Sequence, residues 1–449
     1  LQKKGESKKT MERKMKEKSG ITLIALVVTI VVLLILAGIT INMLFSNGGI
    51  FKTAGDAANA WNDATINEQE SLNNLAEQIG NLVNGQTGGG DTPEEIVDIT
   101  TVTDIVQKEQ GQKAKDSYGN IVVVPKGFKV VVSEGTTVPE GIVIEDANQN
   151  QFVWIPVGTV HKDSSPANDV TIKLGRYTFD KTNGTPTMQQ SAFAGDNPSS
   201  PSQTYADEVP IMGLNDNHIE LDEARPGTVD NSNHLNDLNA TAKNLIGFVE
   251  SVRDNGGYYL ARYEASYGSG YNSTGSTDIE KYANAKPVSQ VSKSNSTSSM
   301  TYDTPGQLWN FITQLNASKV SQNMYANDSS VGVESDLVNS YAWDTAIVFI
   351  QSMKTENSNY ANKKDGSGSL KNTGETGDEV CNIFDMAANV REWSTEYSTY
   401  TSSSGAFPCT YRGGVYDDSS SNFYTACRYS FTATDSYSDV GFRVSLYIK

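Results

Sequence analysis

Near the C-terminus, Asn382-Ile-Phe-Asp-Met-Ala-Ala-Asn-Val-Arg-Glu-Trp393, Tyr411-Arg-Gly-Gly414 and Gly441-Phe-Arg443 follow one another across short polar stretches. This ordered series constrains the fold more than any other part of the chain. Phe384, Met386, Val390 and Trp393 are large apolar residues spaced irregularly among small and polar ones, which predicts a loop anchored in a core. Arg412-Gly-Gly predicts a strand entering a tight turn, because glycine tolerates the positive φ that such turns need. Gly441 to Ile448 alternates apolar and polar residues and predicts a closing strand.

The series resembles the C-terminal signature of the formylglycine-generating enzyme family, a variant of the C-type lectin fold. Phe152-Val-Trp-Ile-Pro-Val157 resembles the family's opening strand, Gly256 to Glu264 the strand carrying a Tyr-Glu pair, and Lys286-Pro-Val288 the approach to the first long helix. Helices are predicted over Gln307 to Leu315 and Tyr341 to Met353, where Leu308, Phe311, Ile312 and Leu315, then Ala346, Phe349, Ile350 and Met353, recur at helical spacing. Trp154, Tyr258 and Trp343 read as plain core. The fold class expected is α+β, with an N-terminal transmembrane and stalk helix followed by a C-type-lectin-like domain of the formylglycine-generating type.

The enzymes of that family use two cysteines five residues apart, shortly after the Gly-Gly, to hold copper and engage a substrate thiol. The matching positions here are Asp418 and Phe423, neither of which does thiol chemistry. Cys381, Cys409 and Cys427 have neither redox nor zinc-knuckle spacing. Cys409 and Cys427 flank the Arg-Gly-Gly turn, and both a disulfide and free thiols remain open for them. A second branch of the family binds iron through histidines, but His161, His218 and His234 fall in polar, insert-like sequence and read as surface residues. No phosphate loop, nucleophile elbow or His-Glu-x-x-His motif occurs. The expectation is a non-enzyme with no organic cofactor.

The resemblance also implies a calcium loop, with Asp385, Ala388, Val390 and Glu392 at the ligand positions, side-chain oxygens first and last and backbone carbonyls between. A turn with two solvated acids is the alternative reading of the same residues.

From Val415 to Val440 the chain reads VYDDSSSNFYTACRYSFTATDSYSDV, without Lys, Glu, Gln, Trp or Met. Tyrosine supplies contact area and a hydroxyl at small entropic cost, and serine supplies hydrogen bonds without bulk, so the composition is that of a recognition surface. The segment resembles the variable region of proteins diversified by retroelements, whose randomised asparagine-type codons cannot yield those five residues. That resemblance implies contact positions at Tyr416, Asp417, Asp418, Ser420, Asn422, Phe423, Tyr424, Tyr429, Ser430, Asp435, Ser436, Tyr437 and Asp439. Arg412, Gly413, Gly414, Gly441, Phe442 and Arg443 are the expected scaffold.

Residues 1–20 carry eight Lys/Arg against three Glu, and Ile21 to Phe45 lacks any charge. As a helix, ~25 residues at about 1.5 Å each exceed the roughly 30 Å apolar thickness of a bilayer. The basic flank predicts a cytoplasmic N-terminus and an extracellular remainder, at a bacterial cell membrane. The arrangement resembles a type IV prepilin cleaved between Gly20 and Ile21, with prepilin peptidase and the pilus assembly machinery as implied partners. Pilins carry glutamate at the fifth mature position, and here it is Ala25. A stalk helix is expected over 46–84, a flexible linker over 85–93, a connecting segment over 94–118 and the lectin-like domain over 119–449, with a polar insertion about 157–245.

A net charge of −18 argues against nucleic acid as partner. Three function classes are in view. The first is a surface-displayed adhesin or receptor-like binding protein for protein or glycan ligands. The others are a minor pilin-like structural subunit and a divergent enzyme of the formylglycine-generating type.

Overall fold

The computed structural model describes residues 95–193 and 245–449, apart from 296, 298–303, 365–366, 399–400, 403–404 and 418–422, together with the backbone of four two-residue strands between 208 and 236. All of these belong to the unit Asp91–Lys449. The predicted leader, cleavage point at Gly20 and Ile21, apolar span, stalk and linker lie outside the described residues. Among the described residues, no helix is long and apolar enough to cross a membrane.

Runs rich in Val, Ile, Phe and Tyr form an antiparallel six-stranded sheet in the order Val333–Leu337, Val444–Ile448, Gly257–Ala261, Gln151–Pro156, Val143–Asp146, Phe128–Val130. The last strand of the chain is therefore an interior one. Its five residues are all buried, although the sequence alternates, because both faces of that strand are covered. Trp154, Tyr258 and Trp343 are wholly buried, as predicted. The predicted single closing strand is in fact two. Val440–Phe442 runs parallel to Arg391–Ser398 in a second sheet, and the chain then crosses at Arg443 into the six-stranded sheet.

The second sheet runs His218–Ile219, Arg391–Ser398, Cys409–Arg412, Arg428–Phe431, with Val440–Phe442 beside Arg391–Ser398. The helix Ser340–Met353, close to the predicted Tyr341 to Met353, is capped by Asn339, whose side chain accepts from the Ala342 amide at 2.9 Å. It is buried on nearly every side, which sets it in the core.

Three expectations change. The helix expected over Gln307 to Leu315 lies instead at Gln314–Asn323, capped by Thr313. Upstream of it, Leu308, Trp309 and Ile312 are buried in extended or turning backbone, and Phe311 has φ 55°. The boundary at 118/119 runs through a sheet, since Val97–Asp98 and Gln112–Lys115 join Ile121–Val124. The front of the expected polar insertion is core. Gly175–Asp180 packs five buried residues, and Arg176 is only 3% exposed.

Candidate functional site

Two glycines bring the signature segments together. Gly413 has φ 89°, and a Cβ on Gly414 would stand 2.0 Å from the Ala387 carbonyl oxygen. Only glycine lets the turn after Arg412 press against the 385–392 loop.

Behind that turn is a buried ionic cluster. Arg412 Nη2 donates to Asp344 Oδ1 at 2.5 Å and Arg412 Nε to the Cys427 carbonyl at 2.9 Å. Arg428 Nε donates to Glu396 Oε1 at 3.0 Å, and its Nη2 reaches Asp344 Oδ2. Arg176 Nη2 closes the set on Glu396 Oε1 at 2.5 Å. Three guanidiniums thus share two carboxylates, all nearly or wholly buried. Burial, then repulsion from Arg428, holds Arg412 below the ordinary arginine value, whereas Asp344 and Glu396 outweigh burial at Arg428 and raise it. Arginine's intrinsic pKa is high enough that both stay charged. Trp343 Nε1 donates to the Thr425 carbonyl at 3.0 Å, tying the helix to the chain that follows the turn.

On this frame lies an aromatic patch. Tyr411, Phe423, Tyr429, Phe431 and Tyr437 stand in contact, with Tyr411 to Phe431 centroids 5.0 Å apart and Phe431 to Tyr437 5.1 Å. The Arg391 guanidinium lies 4.5 Å from the Tyr411 ring centre and 4.7 Å from that of Phe423, donates to the Tyr411 hydroxyl at 2.7 Å, and pairs with Asp439. Cation–π attraction and the ion pair together hold three chain segments at one point.

Among the expected contact positions, Tyr416, Phe423, Tyr424, Tyr429, Asp435, Ser436 and Asp439 are half-buried, and Asp417 and Tyr437 are exposed. Asp418, Ser420 and Asn422 lie outside the described residues. Ser430 is a correction: it is buried, because along Arg428–Phe431 the side chains alternate inward and outward, Arg428 and Ser430 in, Tyr429 and Phe431 partly out. The expected scaffold residues Arg412, Gly413, Gly414, Gly441, Phe442 and Arg443 are all buried. Sequence reasoning missed Arg391, Arg176, Asp344 and Glu396. For Arg391 a signal existed, since it sits inside the signature series.

The calcium reading does not fit the donor set. Asp385 is wholly buried, and its Oδ2 accepts from Thr373 Oγ1 at 2.8 Å and the Gly374 amide at 2.6 Å, while Oδ1 accepts from Thr376. Glu392, also wholly buried, receives Arg443 Nε at 2.9 Å and Nη2 at 2.6 Å. A guanidinium and protein hydrogens already face these oxygens. The amides of Ala388 and Val390 are turned to the Asp385 carbonyl at 3.1 Å and to Glu264 Oε1 at 3.0 Å. The alternative of two solvated acids fails as well, because neither acid meets water. Glu264 completes this second cluster, accepting from Asn389 Nδ2 at 2.6 Å. Burial, then Asp385 and Glu392, raises its carboxyl well above the ordinary range. Burial also raises Glu392, against the pull of Arg443.

Cys381, Cys409 and Cys427 are free and buried. Burial pushes the thiols of Cys381 and Cys427 to about 12 and that of Cys409 higher still. Phe423, one of the two positions expected to match a cysteine, has its ring centre 6.1 Å from that of Tyr429. His161 is partly exposed and pairs with Asp169 at 2.9 Å. His218 lies in a short backbone-described strand, and His234 lies outside the described residues.

Residues 328–447 match the FGE-sulfatase family, described as the sulfatase-modifying factor enzyme 1-like domain. The match spans the turn, both ionic clusters except Arg176 and Glu264, and the aromatic patch. No curated protein matches the chain. Among solved structures, CarF is similar at 13% identity over 43% of this chain and 87% of its own, with a TM-score of 0.30. Variable protein 1 of Treponema denticola is similar at 15% identity over 42% of this chain and 95% of its own, with a TM-score of 0.23. The P3c variant of Major Tropism Determinant is similar at 12% identity over 79% of this chain and 98% of its own, with a TM-score of 0.25. Likenesses of this size carry nothing about what the chain binds.

Proposed function

We propose that the chain is a non-catalytic binding protein whose C-terminal face meets a protein or glycan at the surface of a bacterial cell. One observation carries the reading: a Tyr- and Asp-bearing face, partly open to solvent, rests on a wholly buried frame of Arg412, Arg428, Asp344 and Glu396. Tyrosines held by a rigid base lose little freedom on binding, which favours recognition. Two further features support it. Phe423 stands where the enzymes need a thiol, and the three cysteines present are buried with raised thiols. The uncharged run Ile21 to Phe45 behind a basic flank supplies a membrane anchor, and the composition of 415–440 supports diversification of the face by a retroelement.

The test is sequencing of this gene across many cells of one population. Variation confined to the codons for 415–440, with Arg412-Gly-Gly and Gly441-Phe-Arg constant, is the expected result. An invariant window without a nearby template repeat and reverse transcriptase would sink diversification. The binding reading itself is tested by ligand capture with the parent and a Tyr416→Ala, Tyr424→Ala, Tyr437→Ala variant. Ligands kept by that variant would place recognition elsewhere.

A further inference from the structure

The charges within the 415–440 window are one-sided, and from outside it Lys364 sets its ammonium 5.8 Å from the ring centre of Tyr424. Between Val415 and Val440 the only basic residue is Arg428, against Asp417, Asp418, Asp435 and Asp439. Arg428 is wholly buried and committed to Asp344 and Glu396. The guanidinium of Arg391 approaches the face from below, but it is buried against Tyr411 and Phe423 and paired with Asp439. Among its described residues, this window therefore offers solvent aromatic rings, hydroxyls and carboxylates, and no cation of its own.

These converge at Tyr437, which is 44% exposed. Its hydroxyl donates to Asp435 Oδ1 at 3.2 Å, and Asp435 Oδ2 accepts from the Thr432 amide at 2.8 Å. The main chain beneath is clamped: the Phe311 amide donates to the Tyr437 carbonyl at 3.0 Å, and Asn310 Nδ2 to the Ser438 carbonyl at 2.6 Å. The ring is thus presented by fixed backbone rather than by a free loop. Partial burial, then Asp435 and Asp439, raises the Tyr437 phenol, as a negative local potential should.

We infer, on the reading that this is a binding face, that Tyr437 and Asp435 together receive a lysine or arginine side chain of a protein partner. A cation over the ring gains from its quadrupole, and a hydrogen bond to the neighbouring carboxylate adds a charge-assisted contact. A phosphate- or sulfate-bearing partner gains from neither and is repelled.

The probe is a random-peptide library displayed on phage and selected on the full chain, with enriched peptides synthesised and titrated. The expected peptides carry Lys or Arg at one fixed place. Replacing that Lys with norleucine, or its Arg with citrulline, should weaken binding about tenfold, as should Tyr437→Ala. Asp435→Asn should weaken binding of the charged peptide and leave the neutral one unchanged. Peptides that need Tyr416 or Tyr424 but are indifferent to loss of their cation would overturn the basic-partner inference and leave the binding face standing. Peptides indifferent to every substitution on the face would overturn both.

Discussion

The two buried ionic clusters flank the same turn with opposite imbalances. Around Asp344 and Glu396, three guanidiniums share two carboxylates. Around Arg443, one guanidinium serves Glu392 while Asp385 and Glu264 stand close by on hydrogen bonds from Thr373, Gly374, Asn389 and Val390. The first cluster cannot correct its excess by proton exchange, because arginine does not release a proton in the accessible pH range. The second can, because burial raises all three of its carboxyls, that of Glu264 well above the ordinary range. Rigidity without a titration thus lies under the recognition face, and the pH-sensitive part lies on the far side of the turn.

The strongest challenge to this contrast is Asp344→Asn, which leaves Arg412 and Arg428 facing each other across a neutral amide. A loss of about 3–5 kcal/mol in chemical denaturation is expected. Glu392→Gln should cost less, about 3 kcal/mol, because Arg443 also donates to the carbonyls of Ala261, Arg262 and Phe384 at 2.8, 3.2 and 2.7 Å. Equal losses would remove the distinction between the clusters. Arg176→Met takes away the surplus cation while keeping volume, and should cost on the order of 1 kcal/mol or less in the same assay. A loss as large as that of Asp344→Asn would show that Glu396 needs all three of its guanidiniums.

Glu264→Gln sharpens the comparison through pH. The folded carboxyl is raised above its unfolded value, so its contribution is fully present below the unfolded pKa and is lost as pH rises through the folded one. The variant should therefore gain on the parent with rising pH, from the ordinary glutamate range upward, and differ by about 1 kcal/mol or less at low pH. Parallel stability curves for the two proteins would place the proton elsewhere.

The same asymmetry explains what the sequence made legible. Buried aromatics such as Trp154 and Trp343 announce themselves by type, and the Gly-Gly turn by composition. Ionic partners drawn from distant segments do not, because nothing local marks Arg176 for Glu396, separated by 220 positions. The misplaced helix has a different cause. Leu308, Phe311 and Ile312 have helical spacing, but periodicity reports which residues are covered, and here Phe311 turns through positive φ before Thr313 caps the true helix. Ser430 was readable in principle. Arg428-Tyr429-Ser430-Phe431 has the two-residue period of a strand, and fixing Arg428 inward fixes Ser430 inward too.

The grip of the frame on the chain after the turn has one more consequence. Trp343 holds the Thr425 carbonyl, Arg412 holds that of Cys427, and the Thr425 and Ala426 amides donate to the carbonyls of Lys363 and Ala361. Every one of these bonds ends on main chain, which any amino acid but proline brings with it. Outward side chains such as Tyr416, Tyr424 and Tyr429 can therefore turn over without withdrawing any of these bonds, and tolerance to change at those positions is expected to be a property of the anchors rather than of the residues that change.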